Sequence, residues 1–422
     1  MIEISLAIAL GILSGIVAGL LPGIPILLGF MLFLPLVPLD PVSLLIYGIV
    51  MNIGTQFFGS MAVLYFKVPG ESSSYPVLME LDKFNTPEKI YKAISLTALG
   101  SLIATLLAGV LLWLALATGI FSKLYMPIFL KMTLFAFLLI LSVTLEKKYI
   151  SSFLVLLSSA VFAFYPDLSA ESGGLLPIYY FNSMLALIII FAMQLVWTPP
   201  LVLGEATASK KSSSALPGKT GLMLKYSLVG TALGLVPQLG ATISSYSSYM
   251  WEKFRGRDEY HRVTASETAN NSALVFSWLP LLLFGVPITA TEILLIQHFN
   301  MLGFDFQFLK SQAVQLQILG SIIISAFIYY MLTAVANSQM YSLIGKIITK
   351  KYFAILIAAV SISMFFALNN YSLMFVMTHL VIFIPVSWLV YKLKLSMLPV
   401  VVGLLLIKDI LFTAKQVSQI YF

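Results

Sequence analysis

Long apolar runs decide most of what this chain can become. Leu102 to Thr118, Leu124 to Thr144 and Ile178 to Trp197 are each long enough, or nearly so, to cross a bilayer, which takes roughly 20 apolar residues. Inside lipid the backbone of such a run must satisfy its own hydrogen bonds, so it folds as a helix; the alternating pattern of an outer-membrane strand is absent. Counting runs by length predicts an all-α polytopic membrane protein with roughly ten to twelve transmembrane helices. A composition that is 60% hydrophobic and only 10% charged agrees, because soluble domains carry far more charge.

The N-terminal stretch MIEISLAIALGILSGIVAGLLPG lacks the basic leader and small-residue cleavage site of a secretory signal. It reads as a retained first helix. The absence of cysteine excludes disulfides, thiolate metal sites and cysteine nucleophiles. A net charge of +7 sits mostly in loops, at 83–92, 147–148, 210–225, 253–262, 346–351 and 392–394. Positive-inside bias and contact with anionic headgroups account for it, and nucleic acid is not expected as a partner. These loops are too numerous to share one side, so the sequence leaves orientation open.

Internal repetition organises the chain. Gly15-Ile-Val-Ala-Gly19-Leu-Leu-Pro22 and Gly230-Thr-Ala-Leu-Gly234-Leu-Val-Pro237 share one pattern, 215 positions apart. Asn52 precedes the Val68-Pro69 pair as Asn270 precedes Val286-Pro287, at an offset of 218. Lys147-Lys148-Tyr149 is echoed by Lys350-Lys351-Tyr352. The predicted organisation is a first transmembrane repeat over 1–203, a linker over 204–221 and a second repeat over 222–422.

Matched Pro/Gly interruptions in two halves are a pointer to a secondary transporter with its site at the repeat interface. Broken or re-entrant helices are expected near Pro22, Pro69, Pro237 and Pro287, since each proline removes a backbone donor and clashes with the preceding turn. A helix restarted within the membrane presents unpaired N–H groups that favour an anion. Ordinary kinking of spanning helices remains the plain alternative. Small polar residues cluster beside the breaks: Gly70, Glu71 and Ser72 to Ser74 after Pro69; Gly240, Thr242, Ser244 and Ser245 after Pro237; and SETANNS, residues 266–272, ahead of Pro287. Polar groups at membrane depth normally face a cavity.

Five segments carry a family resemblance: PLVPLDP (35–41), GTQFFGS (54–60), KVPGESSSYPVLMELDKF (67–84), GLVPQLGATISSYSSYMWEK (234–253) and ASETANNSALVFSWLPLLLFGVPIT (265–289). In that order they resemble the large membrane subunit of the tripartite tricarboxylate transporters, the TctA family. The resemblance implies a multi-pass protein of the cytoplasmic (inner) membrane that imports small organic anions, typically carboxylates, on a sodium or proton gradient. It also implies two partners, a small membrane subunit and a periplasmic substrate-binding protein. The functional stretches it implies are Gly19 to Pro25, Gly54 to Ser60, Pro69 to Ser74, Asp82, Val236 to Thr242, Glu267 to Asn271 and Gly285 to Pro287. This chain departs from the family pattern where Lys83, Gln238 and Ile288 replace glycines and Ser266 replaces a proline. Glycine there allows positive φ or close approach to a ligand, so these changes bear on substrate rather than architecture.

All three arginines, Arg255, Arg257 and Arg262, fall in one eight-residue window that reads as a loop. No arginine is then expected in the membrane to fork onto a carboxylate. Helix N-termini, hydroxyls and amides must hold the anion instead. The assigned substrate-binding residues are Ser72, Ser73, Ser74, Thr242, Ser244, Asn270 and Asn271. Coupling-ion or helix-break roles go to Pro22, Gly23, Asn52, Pro69, Gly70, Pro237, Gly240, Glu267 and Pro287, with capping of a helix starting near Thr268 as the structural alternative for Glu267. Lys131, Glu292 and the Lys408-Asp409 pair are further suspects because they lie in or near apolar runs.

No hydrolase or metalloprotease motif is present, and Gly218-Lys219-Thr220 lacks the rest of a phosphate-binding loop, so no enzyme is expected. No cofactor or metal is expected beyond the coupling cation. A stand-alone carrier without a binding protein, and a channel or structural membrane protein, are the alternatives.

Overall fold

The computed structural model describes residues 2–20, 40–66, 72–119, 148–163, 220–237, 239–301, 303–304, 306–335, 373–393, 395, 398–407 and 410–411, with isolated positions within 132–144, 186–193 and 414–418. Every regular element among the described residues is helical. The main helices are α1 (Ile2–Leu20), α2 (Pro41–Phe66), α3 (Pro87–Thr118), α4 (Tyr149–Ala163), α5 (Thr220–Leu233), α6 (Gly240–Phe254), α7 (Glu259–Phe276), α8 (Trp278–Phe284), α9 (Ala290–Met301), α10 (Gln312–Tyr330) and α11 (Leu373–Lys392). Short turns of helix at Ser72–Ser74, Tyr75–Leu78 and Leu81–Lys83 join α2 to α3. Four of the described segments are long and apolar enough to cross a membrane: Ile2–Leu20, Pro41–Tyr65, Glu88–Thr118 and Gln312–Ala334.

The chain divides into two compact units. The first comprises Met1–Phe121, Pro200–Leu283 and Phe306–Lys351; the second comprises Ser122–Pro199, Phe284–Asp305 and Tyr352–Phe422. In the second, α4 and α9 both pack against the segment Val402–Leu406, and the Ser387 hydroxyl of α11 donates to the Ile190 carbonyl at 2.9 Å.

In the first unit, glycines set the helix spacing. Gly11, Gly15 and Gly19 of α1 face Val50, Met51 and Thr55 of α2, where a Cβ on Gly15 would stand 2.8 Å from the Met51 carbonyl and one on Gly19 2.9 Å from that of Thr55. Gly230 and Gly234 of α5 meet the Ala269 and Ala273 carbonyls of α7 in the same way and more closely still. Small residues three and four apart let membrane helices approach until their backbones touch. The order of contacts shows that α1 runs parallel to α2, and α5 parallel to α7.

Helix ends follow local chemistry. Asp40 caps α2 by accepting from the amides of Val42 and Ser43 at 3.1 and 2.9 Å. Asp258 caps α7 by accepting from His261 N at 2.8 Å. Asp and Asn are strong N-caps because they satisfy amides that lack an intrahelical partner. The α5–α6 interruption spans Gly234–Leu239 and contains Pro237, which sequence had singled out as a break. Likewise α8 ends at Phe284, α9 begins at Ala290, and Pro287 lies between them. Pro22, Gly23, Pro69 and Gly70 lie outside the described residues, as do Lys131, Lys408, Asp409 and most of the 204–221 linker.

Candidate functional site

The polar core is built on α7. Every residue from Arg262 to Phe276 is buried, although the stretch includes Ser266, Glu267, Thr268, Asn270, Asn271 and Ser272. It packs against α3, α5, α6 and α2, so its polar side chains meet other helices on all sides. A helix this polar can be buried only where its side chains find partners or a ligand.

Opposite it, α2 presents Asn52, Gln56 and Ser60, one turn apart on a single face. Asn270 Nδ2 donates to Gln56 Oε1 at 2.7 Å, and Ser60 Oγ pairs with Glu267 Oε2 in a short hydrogen bond. Since 56 pairs with 270 and 60 with 267, the two helices are antiparallel. Asn271 donates to the Glu267 carbonyl at 2.8 Å and so stays within its own helix.

The third wall comes from α6 and the Ser72–Ser74 turn. Ser245 Oγ lies 2.5 Å from the Ser73 carbonyl and 2.7 Å from Ser266 Oγ. A hydroxyl carries one proton; Ser245 gives its proton to the carbonyl, so Ser266 donates to Ser245. Ser244 donates to the Ala241 carbonyl at 2.9 Å and to that of Ala269 at 3.3 Å. Gly240, at the N-terminus of α6, meets Leu233 and Gly234, and Gly234 in turn meets Ala273 of α7, so α6 begins inside the unit about a turn of α7 beyond Asn270.

Buried polar atoms here with no hydrogen-bond partner among the described residues include Asn52 Oδ1, Ser73 Oγ and Asn270 Oδ1. Each costs about 1–3 kcal/mol if left unpaired. A core selected only for stability would hold apolar groups of the same shape.

One end of this core is closed by a buried ion cluster. Arg262 forks onto Glu80 through Nε at 2.8 Å and Nη2 at 2.7 Å, and Tyr249 Oη and Lys83 Nζ each reach the same carboxylate at 2.8 Å. Burial alone would raise the Glu80 pKa, but the hydrogen bonds from Arg262, Lys83 and Tyr249 outweigh it and hold the group at about 2. The cluster joins the segment carrying Ser73 to α6 and α7. A second buried acid, Glu252, accepts from Tyr226 Oη at 2.5 Å, with Lys225 Nζ at 3.8 Å.

Of the sequence-assigned residues, the structure brings Asn52, Ser73, Ser244, Gly240, Glu267 and Asn270 into this first unit's core. Ser74 is buried, while Thr242 is only half-buried on α6. For Ser72 only the backbone is described. Pro287 belongs to the second unit.

Three sequence readings are corrected. Arg262 is a buried helical residue in the first turn of α7, not part of a loop, because Asp258 caps the helix upstream. Glu267 is in mid-helix and cannot cap a start near Thr268. Glu292 closes a capping box at the start of α9, accepting from Ile288 N at 2.7 Å and Thr289 N at 3.2 Å while Glu292 N donates to Thr289 Oγ1 at 3.4 Å. Sequence reasoning missed Glu80 and Tyr249, and singled out Ser245 and Ser266 without assigning either a binding role. The spacing of Ser244, Ser245, Ser248, Tyr249 and Glu252 along one helix was the available signal. Among the described residues no cluster of His, Asp and Glu has the make-up of a metal site.

No solved structure matches the chain. A protein described as an uncharacterized 52.8 kDa protein in the TAR-I ttuC′ 3′ region of Agrobacterium vitis is 28% identical over 142 residues, which is 32% of this chain and 28% of that protein. The match is therefore confined to under a third of either protein. Residues 6–402 match the description of the tripartite tricarboxylate transporter TctA family, nearly the whole chain. Family and fold agree: this multi-pass helical membrane protein belongs to the tripartite tricarboxylate transporter TctA family.

Proposed function

We propose that the chain is the large membrane subunit of an ion-coupled importer of small organic anions of the di- or tricarboxylate type, working in the cytoplasmic membrane. It acts with a small membrane subunit and a periplasmic binding protein. The observation that carries this reading is the buried polar face of α7, set against α2, α6 and the Ser73 turn, where Asn52 Oδ1, Ser73 Oγ and Asn270 Oδ1 have no partner among the described residues. The Ser73 hydroxyl and the N-terminus of α6 supply the donors an anion needs. Arg262 is not one of them, because its guanidinium is committed to Glu80.

Glu267 and Asn270, one turn apart on α7, carry side-chain oxygens facing Ser60 and Gln56 of α2, an arrangement that suits a coupling cation, sodium or proton, beside the substrate. A buried carboxylate would repel a carboxylate substrate unless a cation or proton arrives with it. Coupling follows from that electrostatic requirement.

The two halves are proposed to be structural repeats. Gly15 and Gly19 meet Met51 and Thr55, and Gly230 and Gly234 meet Ala269 and Ala273; each partner of the first set reappears 218 positions later in the second. This supports alternating access about a site on the repeat interface.

Counterflow in proteoliposomes tests the reading. Exchange accelerated by trans carboxylate is expected of a carrier, and flux indifferent to trans substrate would contradict it.

A further inference from the structure

The contacts of the first unit fix the direction of each of its helices, and with them the end at which each charge lies. α2 is antiparallel to α7. Tyr260 packs on Phe84 and under Lys92 Nζ at 4.6 Å, while Gly100 meets Thr264 and Thr268, so α3 is parallel to α7. Tyr226 and Lys225 reach Glu252, which brings the N-terminus of α5 to the same end. α10 enters from the opposite end: Ile322 meets Gly109 far along α3, and Tyr329 meets Phe57 and Phe58 in the second half of α2.

The basic side chains then separate, while the acids do not: Glu80, Asp82, Glu88, Glu252, Asp258 and Glu259 lie at the same end as most of the bases, and acids contribute little to membrane orientation. Among the described residues of this unit, Lys83, Lys89, Lys92, Lys225, Lys253, Arg255, Arg257 and Arg262 all lie at the end where α3, α5 and α7 begin. The other end holds Lys310, with the acidic Glu3 and Asp40. At the basic end Trp251 and Phe254 are 57% and 82% exposed, and Lys225 Nζ lies 5.4 Å from the Trp251 ring. Exposed aromatics among Lys and Arg are the composition of a membrane–water interface.

We propose that this basic end is the cytoplasmic face of the first unit, seated on the anionic phospholipid headgroups of the inner leaflet, so that the N-terminus of α1 lies outside. Flanking Lys and Arg set orientation by the positive-inside rule, and basic groups near an anionic surface add electrostatic attraction to it. The repeats are then inverted, because α2 and its counterpart α7 cross the membrane in opposite directions. The Glu80–Arg262 cluster closes the polar core on its cytoplasmic side. The inference rests on a cytoplasmic-membrane location but not on transport: failed counterflow would sink the proposed function and leave sidedness untouched.

The chain has no cysteine, so single cysteines report sidedness directly. Ser311→Cys, at the far end, should react with a membrane-impermeant maleimide in intact cells, and Arg257→Cys only after the membrane is opened. The reverse pattern overturns the orientation, and labelling of both in intact cells overturns the separation of ends. For the lipid contact, phosphatidylglycerol added to the detergent-purified protein should raise the unfolding temperature more than phosphatidylcholine, and Lys253→Gln/Arg257→Gln should abolish the difference. Equal shifts from both lipids, or protection of Arg257→Cys only on co-expression of a protein partner, would overturn it.

Discussion

The α1–α2 and α5–α7 seams are close to identical in backbone packing and unlike in chemistry. In both, a pair of glycines four residues apart brings a helix onto carbonyls of a parallel neighbour. Yet at the proposed repeat offset of 218, Glu267 corresponds to Ile49, Arg262 to Leu44, Ser266 to Gly48 and Asn271 to Ile53. Only Asn270 keeps its partner type, as Asn52. The seam glycines recur in both segments, whereas the ionisable residues of α7 have no ionisable counterpart on α2. Close packing is a property of backbone geometry and tolerates changes in the side chains around it, while the proposed transport site needs only one carboxylate, Glu267.

Breaking that asymmetry gives the largest expected effect. Glu267→Gln removes the charge but keeps the shape, and should lower uptake at least about tenfold, the equivalent of roughly 1.4 kcal/mol, with the protein still folded in the membrane. Ile49→Val, on the other half, should leave uptake within a factor of about two, since such trims cost around 1 kcal/mol of stability and touch no polar group. Equal losses at both positions would end the distinction.

The recurring seam glycines predict the opposite pattern. Gly15→Val and Gly230→Val should each destabilise the detergent-solubilised protein by about 1–3 kcal/mol or more, as overpacking does. Thermal unfolding reads this, and a large loss in one seam alone would show the two are not equivalent.

The Glu80 cluster, which ties Glu80 and Lys83 to Tyr249 and Arg262, gives a pH-dependent difference. Its folded pKa of about 2 lies below the reference of 4.5, so the carboxylate stabilises the fold above about pH 4.5 and loses that contribution as pH falls toward 2. Wild type should therefore exceed Glu80→Gln in unfolding temperature at neutral pH, where Arg262 is left buried without its partner at about 3–5 kcal/mol. The margin should shrink on acidification through that window; a margin constant with pH would remove the ion pair from the account.

Membrane helices, the breaks at Pro237 and Pro287, and the glycine seams were legible in sequence because lipid, proline and glycine act locally. The site was legible in part. Asn52, Ser73, Ser244, Glu267 and Asn270 stood out as polar residues in apolar surroundings. Arg262 did not, because three arginines near Gly256 look like a loop until Asp258 is recognised as the cap that starts α7. Glu80 became part of the site through Tyr249 and Arg262, and Ser245 through Ser73, partners well over a hundred positions away that no local pattern encodes. Glu292 misled in the other direction: an acid in an apolar run proved to be half of a capping box.

The central claim is that the buried polar face of α7 is the transport site. Uptake and its ion dependence in Asn270→Ala, measured at matched amounts of folded protein, test it most directly. The account predicts at least about a tenfold fall in uptake, roughly 1.4 kcal/mol, together with altered dependence on the coupling ion. Wild-type uptake with wild-type ion dependence would contradict it.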